Sequence, residues 1–146
     1  MDFFDVLKIS GSALSAQRLR LQVISNNLAN AHSTRTSGGG PYRRRDVVFS
    51  TSSNPFSFAS HLQSEMDGEE LGIVRVAGVI EDPRPFRRVY DPGHPDAESS
   101  GYVILPNVNI IEEMLNLISA TRAYEANVTV MQATKQMALK ALEIGK

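Results

Sequence analysis

Histidine and carboxylate side chains are the residues of this chain most suited to metal or acid–base chemistry, and they are dispersed. His32, His61 and His94 lie far apart, without the helical spacing of a metal-binding pair. Asp91 and Asp96 flank His94, so these three side chains could in principle surround an ion. A proline-stiffened loop is the favoured interpretation of this stretch. We predict no metal, no cofactor and no catalytic residue, since no convergent set of titratable groups is recognisable.

Glycine and arginine clusters raise the question of phosphate or nucleic-acid binding. Residues 38–40 are three glycines, but the lysine and the Ser or Thr of a P-loop are missing, so a flexible arm is expected. Arg43, Arg44 and Arg45 form a basic cluster with few interleaved aromatic residues for base stacking. Ion pairs with acidic residues of another subunit, such as Asp67, and a solvated basic face both fit the cluster. We predict neither a nucleic-acid partner nor a small-molecule substrate.

Composition limits the remaining classes of protein. The chain has 146 residues, enough for one ordinary core, a formal net charge of −1, and no cysteine for disulfides or thiolate metal sites. Its first five residues lack the basic region of a secretory signal, so we expect no cleaved signal peptide. The uncharged run from Val47 to Ser64 is too rich in Ser, Thr and Asn to cross hydrocarbon. We therefore expect no membrane insertion.

A heptad pattern predicts a helix over the first ~30 residues, packed lengthwise on another helix. Asp2 is the expected N-cap, and Gly11 suggests a bend or local loosening because glycine costs about 1 kcal/mol inside a helix. Ser10 and Gln17 make the seam imperfect. The residues of the seam are Leu7, Leu14, Leu21 and Leu28, with Ile24 and Ala31 at intervening positions.

The last third of the chain repeats the pattern over a longer stretch. Asn109 and Glu112 form a predicted capping box, and no proline or glycine follows until Gly145. A continuous helix here would be about 50 Å long. Its predicted seam alternates steps of four and three through Ile110, Met114, Leu117, Thr121, Tyr124, Val128, Met131, Lys135, Ala138 and Leu142.

Between the helices, short β-branched and aromatic runs bounded by Pro, Gly and Asp predict a small β-rich insert. The expected strands are 42–50, 72–80, 86–90 and 101–105, whereas 34–40 and 50–68 read as arms or loops. The predicted fold class is α+β, with the two terminal helices forming an antiparallel, coiled-coil-like pair. Residues 1–33 and 107–146 would form the helical domain, and 34–106 the linker arms and insert.

Each helix carries a second apolar strip beside its seam, namely Ile111, Leu115 and Ile118 on one helix and Leu19 and Val23 on the other. Because one partner helix cannot cover both strips, neighbouring subunits are the expected cover. The alternative from pattern alone is an ordinary antiparallel helix hairpin with a β cap.

Asparagines near the end of the N-terminal helix form a further candidate contact. Asn26 and Asn30 lie one turn apart on the face opposite the seam, where helix propensity gives no reason for asparagine. We expect their amides to bind a neighbouring subunit, with plain surface polarity near a fraying helix end as the alternative.

Four segments resemble the rod proteins of the bacterial flagellar basal body. Residues 24–31, Ile-Ser-Asn-Asn-Leu-Ala-Asn-Ala, are similar to the signature of flagellar axial proteins. Residues 35–49, which follow this signature, resemble the corresponding segment of proximal rod proteins. Residues 106–114 and 123–127 resemble the C-terminal part of the same proteins. His32 and Ser33 depart from the family, which more often has Asn and Thr there, while 50–70 is the least recognisable part.

The resemblance implies a non-catalytic structural subunit of the proximal rod, which polymerises through its terminal helices around a hollow axis and transmits torque. Implied partners are copies of itself, other rod subunits, and the membrane-ring and export-gate side of the basal body. Export through the flagellar type III apparatus would place it in the rod crossing the periplasm. A soluble coiled-coil adaptor or export chaperone is the alternative; an enzyme is disfavoured.

These expectations define a predicted assembly interface on both helices and the arginine cluster. Its residues are Leu7, Leu14, Leu19, Leu21, Val23, Ile24, Asn26, Asn27, Leu28, Asn30, Arg43, Arg44, Arg45, Ile111, Leu115, Ile118, Tyr124, Asn127, Val128, Met131, Leu139 and Leu142.

Overall fold

Two long helices, one at each end of the chain, flank a small β-rich insert in sequence, which confirms the predicted α+β class. The computed structural model describes residues 3–51 and 72–144. The elements, in chain order, are α1 (Phe3–Ala29), β1 (Arg45–Thr51), β2 (Val74–Glu81), β3 (Arg87–Tyr90), β4 (Tyr102–Leu105) and α2 (Ile110–Ile144).

Helix α1 runs without interruption through Gly11, so the predicted loosening there is not seen. A Cβ at Gly11 would meet no atom within 4 Å, so packing does not require glycine at this position. The helix ends in a turn in which the backbone N–H and the side-chain amide of Asn30 both donate to the carbonyl of Asn26. The expected cap, Asp2, lies outside the described residues.

Helix α2 has 35 residues, and its start is capped by Asn109. The backbone N–H of Ile111 donates to Asn109 Oδ1 over 3.0 Å, which satisfies one amide of the first turn. Glu112 accepts instead from the Asn109 side-chain amide at 3.3 Å and from Arg84 at 3.2 Å. Half of the predicted capping box is therefore present.

The seam between α1 and α2 is built mainly of small and polar residues. On α2 the column at seven-residue spacing is Glu113, Ala120, Asn127 and Thr134, of which Glu113 and Ala120 have no exposed area. On α1 the matching buried column is Ser10, Ile24 and Ala31, and Gln17 between them has its Oε1 buried without a hydrogen-bond partner. The predicted leucine seam is off-centre, because Leu7, Leu14, Leu21 and Leu28 are only half-buried.

A second face of α1 packs on the β1–β2 hairpin. The backbone N–H of Val74 donates to Ser12 Oγ at 3.2 Å, and the Arg20 guanidinium lies 6.0 Å from the ring centre of Phe49. Val23 is consequently buried within the subunit. The expectation that this strip of α1 awaits a neighbouring subunit is therefore wrong for Val23.

The insert contains two separate antiparallel pairs. β1 pairs with β2 from Arg45 opposite Glu81 to Thr51 opposite Val74, with a bulge between Val48 and Phe49. β3 pairs with β4 through four residues. All four strands were predicted within three residues of their bounds. Because isolated two-stranded sheets are marginal in water, these depend on packing and on the polar joint described below.

Candidate assembly interface

Asn27 lies at the centre of a polar joint that ties α1 to the insert and to α2. Its Nδ2 donates to the carbonyl of Arg45 at 2.7 Å and to Glu113 Oε2 at 2.9 Å. Its Oδ1 accepts from the Tyr42 hydroxyl at 2.9 Å and from the backbone N–H of Arg45 at 3.0 Å. All four bonds that an amide can make are formed, and the side chain has no exposed area.

Arg44 and Glu113 form the charged part of the joint. Arg44 Nε donates to Glu113 Oε1 at 2.8 Å, and its NH1 lies 3.1 Å from Asp46 and 3.3 Å from Asp82. Burial alone would lower the pKa of Arg44, but its hydrogen bonds to Glu113 and Asp46 outweigh burial and the pKa rises. Arg44 and Glu113, the two buried charges, therefore each have a charged partner within the chain. Such pairing offsets the cost of removing an ion from water.

Asp82 and Asn107 fasten the start of the insert to the approach of α2. Asn107 Oδ1 accepts from the backbone N–H of Arg44 at 2.8 Å, and its Nδ2 donates to the carbonyls of Asp82 and Arg84. The hydrogen bond from the Arg84 side chain holds the pKa of Asp82 below its ordinary value, and the nearby Arg44 charge adds to this effect. The pKa of Arg84 rises through the same pair and through Glu112.

The arginine cluster is used inside the subunit. Arg43 lies with its guanidinium 4.4 Å from the ring centre of Phe86 and donates to the carbonyl of Asp82. Arg45 is exposed and 3.7 Å from Glu81. The predicted pairing of the cluster between subunits is therefore wrong for Arg44, which is buried, and Asp67 lies outside the described residues.

Of the four predicted asparagines, one is buried, two are half-buried and one is exposed. Asn27 was expected at the assembly interface, but it is an internal residue of the joint. Asn30 is half-buried and accepts from Ser33 Oγ at 3.1 Å, so its amide has partners within the chain. Asn26 is exposed, and its contact with a neighbour stays a prediction. Asn127 is half-buried and donates to the carbonyl of Ala123.

Large apolar side chains of α2 lie outside the helix pair. Ile111 is 71% exposed, Leu115 63% and Ile118 51%, as expected for a strip that its own subunit does not cover. This outward placement of large residues, with small and polar residues between the helices, is the reverse of an ordinary amphipathic helix. Other exposed large apolar residues of α2 are Ile110, Met114, Tyr124, Val130, Met137, Leu139 and Leu142.

An apolar cavity of about 370 Å³ opens where α1 begins, lined by Phe3 and Leu7 from α1 and by Val128 and Met131 from α2. These side chains are half-buried in the subunit. Leu19 is half-buried and Ile24 is buried, so both contribute little to the outer surface.

The segment following α1 and the β3–β4 loop are joined around Asp96. Asp96 accepts from Thr34 Oγ1 at 2.7 Å and lies 3.0 Å from Arg35, and its backbone N–H donates to His94 Nδ1. Within residues 3–51 and 72–144, no group of three or more His, Cys, Asp or Glu side chains could hold a metal ion. In the same part of the chain, no helix is sufficiently long and apolar to cross a membrane.

The glycines at 38–40 form a closed turn, not an open arm. The backbone N–H of Thr36 donates to the carbonyl of Gly40 at 2.9 Å, and that of Gly39 donates back to the carbonyl of Thr36. Gly39 and Gly40 have φ values of 82° and 75°, which L side chains rarely adopt.

Sequence reasoning missed four members of the joint: Tyr42, Asp82, Asn107 and Glu113. One signal was available for Glu113, which lies seven residues before Ala120 and so shares its face of α2. The other three come from separate segments that only the folded chain brings together.

Comparisons with known proteins agree at both ends and over the full length. A family described as "Flagella basal body rod protein" matches residues 7–35, and one described as "Flagellar basal body rod FlgEFG protein C-terminal" matches 99–144. The flagellar basal-body rod protein FlgC of Bacillus subtilis is 50% identical, with 100% of both chains covered. That of Borreliella burgdorferi is 46% identical over 99% of this chain and 98% of its own. That of Yersinia enterocolitica is 45% identical, again with 100% of both chains covered. The chain therefore belongs to the FlgC family of flagellar basal-body rod proteins.

Proposed function

We propose that the chain is a structural subunit of the proximal rod of the flagellar basal body, which polymerises through its terminal helices and transmits torque without catalysis. The observation that carries this proposal is the arrangement of α2. Its small and polar residues lie against α1, while Ile111, Leu115 and Ile118 face outward. Burial of apolar area of this kind against another molecule is favourable, and exposed apolar patches mark sites of protein–protein interaction.

The polar joint supports a role in force transmission. Asn27 and Glu113 connect α1 and α2 to the start of β1 through short hydrogen bonds with no exposed side-chain area. Buried, fully bonded networks are rigid because any displacement leaves polar groups unpaired. A torque applied to the helix pair would therefore be passed to the insert with little internal movement.

Family membership supports the partners and the location proposed for the chain. Copies of the chain and other rod subunits are the neighbours in the rod, and the membrane-ring and export-gate side of the basal body lies beneath. Export without a cleaved signal peptide and a position in the periplasm belong to the same proposal. The comparisons give no support to the alternative of a soluble coiled-coil adaptor or export chaperone.

Deletion and localisation test the proposal. A strain lacking the chain should be non-motile, and its isolated basal bodies should lack a complete rod in electron micrographs. Restoring an epitope-tagged chain should return motility and place the tag in purified basal bodies. A tagged chain that restores motility but is found only in the soluble fraction would refute the structural role.

A further inference from the structure

The outward apolar residues at the start of α2 form a short, bounded patch. Ile111, Met114, Leu115 and Ile118 are each at least half exposed and lie within about two turns of helix. At 100° per residue, Leu115 lies about 160° around the helix from Glu113, which faces α1. We name these four residues the α2 start patch.

The α2 start patch ends abruptly along the helix. Farther along the same face the exposed residues are polar or small: Arg122, Glu125, Ala126, Thr129, Ala133 and Gln136. The apolar surface is therefore about 10 Å long, the length of two helical turns at 1.5 Å per residue. Such a surface fits the end of a helix or a helix crossing it, and is too short for a second helix packed along its whole length.

The opposite end of α2 also exposes large apolar side chains. Phe3 and Leu7 at the start of α1 lie level with Val128, Met131 and Lys135, as the cavity they share shows. Helix α2 continues for nine residues beyond Lys135, and this projecting end exposes three large apolar side chains. They are Met137 (64% exposed), Leu139 (51%) and Leu142 (71%).

The size of the α2 start patch decides what kind of partner it suits. Its exposed apolar area is on the order of 500 Å², near the upper range for the largest patch on a monomer. A stable binary complex usually buries about 800 Å² on each partner. The patch alone is too small for a free-standing complex, but it suffices where further contacts in a polymer hold the partner in place.

The separation of the two ends fits a polymer. Leu115 and Leu139 are 24 residues apart on one helix, or about 36 Å along its axis. Contacts between unlike surfaces generate a closed ring when the rotation between subunits closes, and an open helical assembly when it does not. A contact of this kind would therefore displace neighbouring subunits by most of the length of α2.

We propose that the α2 start patch is a docking site for a neighbouring rod subunit. The segment that docks is the projecting C-terminal end of the neighbour's long terminal helix, which carries the apolar pattern of Met137, Leu139 and Leu142. The inference rests on the proposed rod function and deepens it by assigning one surface to one segment of the neighbour.

Site-specific photocrosslinking in motile cells tests the docking. Benzoylphenylalanine replaces Leu115 in a tagged chain, basal bodies are purified after irradiation, and the attached peptide is identified by mass spectrometry. The expected adduct is a peptide from the C-terminal end of a rod subunit's terminal helix, residues 136–144 if the neighbour is a copy of this chain. The same probe at Thr129, on the same face but outside the patch, should not yield that peptide.

The outcomes separate this inference from the rod function. Suppose the tagged chain is present in basal bodies but its Leu115 adduct maps to α1, to a β insert or to a protein outside the rod. This result overturns the docking alone. So does an incorporated chain that gives no adduct. Absence of the chain from basal bodies, with motility retained, would overturn the rod function as well.

Leu115→Gln provides an independent measurement. Because Leu115 is 63% exposed, the substitution should leave the free energy of unfolding within about 0.5 kcal/mol of the parent value. Incorporation into basal bodies should nevertheless fall at least several-fold. Full incorporation of a normally folded L115Q chain would contradict the docking.

Discussion

At the scale of single residues, Asn27 is the strongest determinant of the joint, because all of its hydrogen-bonding groups are paired inside the subunit. Asn27→Ala removes four bonds and leaves Glu113 and Tyr42 with unpaired groups in a buried site. We expect the free energy of unfolding to fall by about 3 kcal/mol, measured by urea unfolding followed by circular dichroism.

Its neighbour Asn26 is the matched control, since it is also asparagine in the last turns of α1 but is exposed. Asn26→Ala should change the free energy of unfolding by no more than about 0.5 kcal/mol. Equal losses in the two variants would show that helix-end asparagines act through propensity and not through the joint.

Asp82 gives the joint a predictable response to acid. Its pKa in the folded chain is below its ordinary value of 3.8, chiefly because the Arg84 side chain donates to it. The unfolded chain therefore binds the proton more readily, so the stabilisation is complete above about pH 4 and is lost as pH falls through the folded pKa. Asp82→Asn should remove this contribution.

The test compares the free energy of unfolding of the parent chain and of D82N from pH 6 to pH 2. The difference between them should be constant above about pH 4 and narrow below it. Parallel curves over the whole range would show that the ion pair with Arg84 contributes nothing to folding.

At the scale of elements, the seam between α1 and α2 contains an unpaired acceptor. Gln17 Oε1 is buried without a hydrogen-bond partner, and Ser10 and Ile24 flank Gln17 in the buried α1 column. Gln17→Leu removes this acceptor and adds apolar contact. We expect the free energy of unfolding to rise by about 1 kcal/mol, measured by urea unfolding.

Gln22→Leu is the control for Gln17→Leu, because Gln22 is exposed on the same helix and gains no buried contact. It should leave the free energy of unfolding nearly unchanged. A loss of stability in Q17L would mean that the amide has a role in the seam that its unpaired oxygen does not reveal.

Periodicity predicted the elements better than the contacts between them. The heptads located both helices, and the turn residues located all four strands within three residues. The seam was misplaced because large apolar residues were assumed to face the partner helix, whereas Ala120 and Glu113 do so. In a subunit that binds neighbours, some apolar residues pack inside the subunit and others lie at the interface with a neighbour. Sequence pattern alone does not show to which of these two surfaces each residue belongs.

The joint shows a second limit of sequence reasoning. The arginine cluster was treated as surface charge, yet Arg44 is buried because Glu113 and Asp82 come to it from segments 69 and 38 residues away. Composition gives no indication of such pairings. Asn27 was recognised as part of a family signature, and the structure gives the physical reason for asparagine at that position.

At the scale of the whole molecule, folding and assembly depend on different surfaces. Ile111, Leu115 and Ile118 contribute little to the subunit's own core, since each is more than half exposed. Replacing all three with glutamine should therefore leave the free energy of unfolding within about 1 kcal/mol of the parent value. The same replacement should abolish rod assembly, because the apolar area available for burial between subunits is lost.

Complementation of a deletion strain measures this separation of folding from assembly. The triple glutamine variant should be produced and folded, as judged by circular dichroism, but should fail to restore motility or enter purified basal bodies. A control with glutamine at three exposed serines of the insert, Ser37, Ser99 and Ser100, carries the same number of new amides and should restore motility. If the triple variant swims normally, the outward strip of α2 formed by Ile111, Leu115 and Ile118 is not an assembly surface.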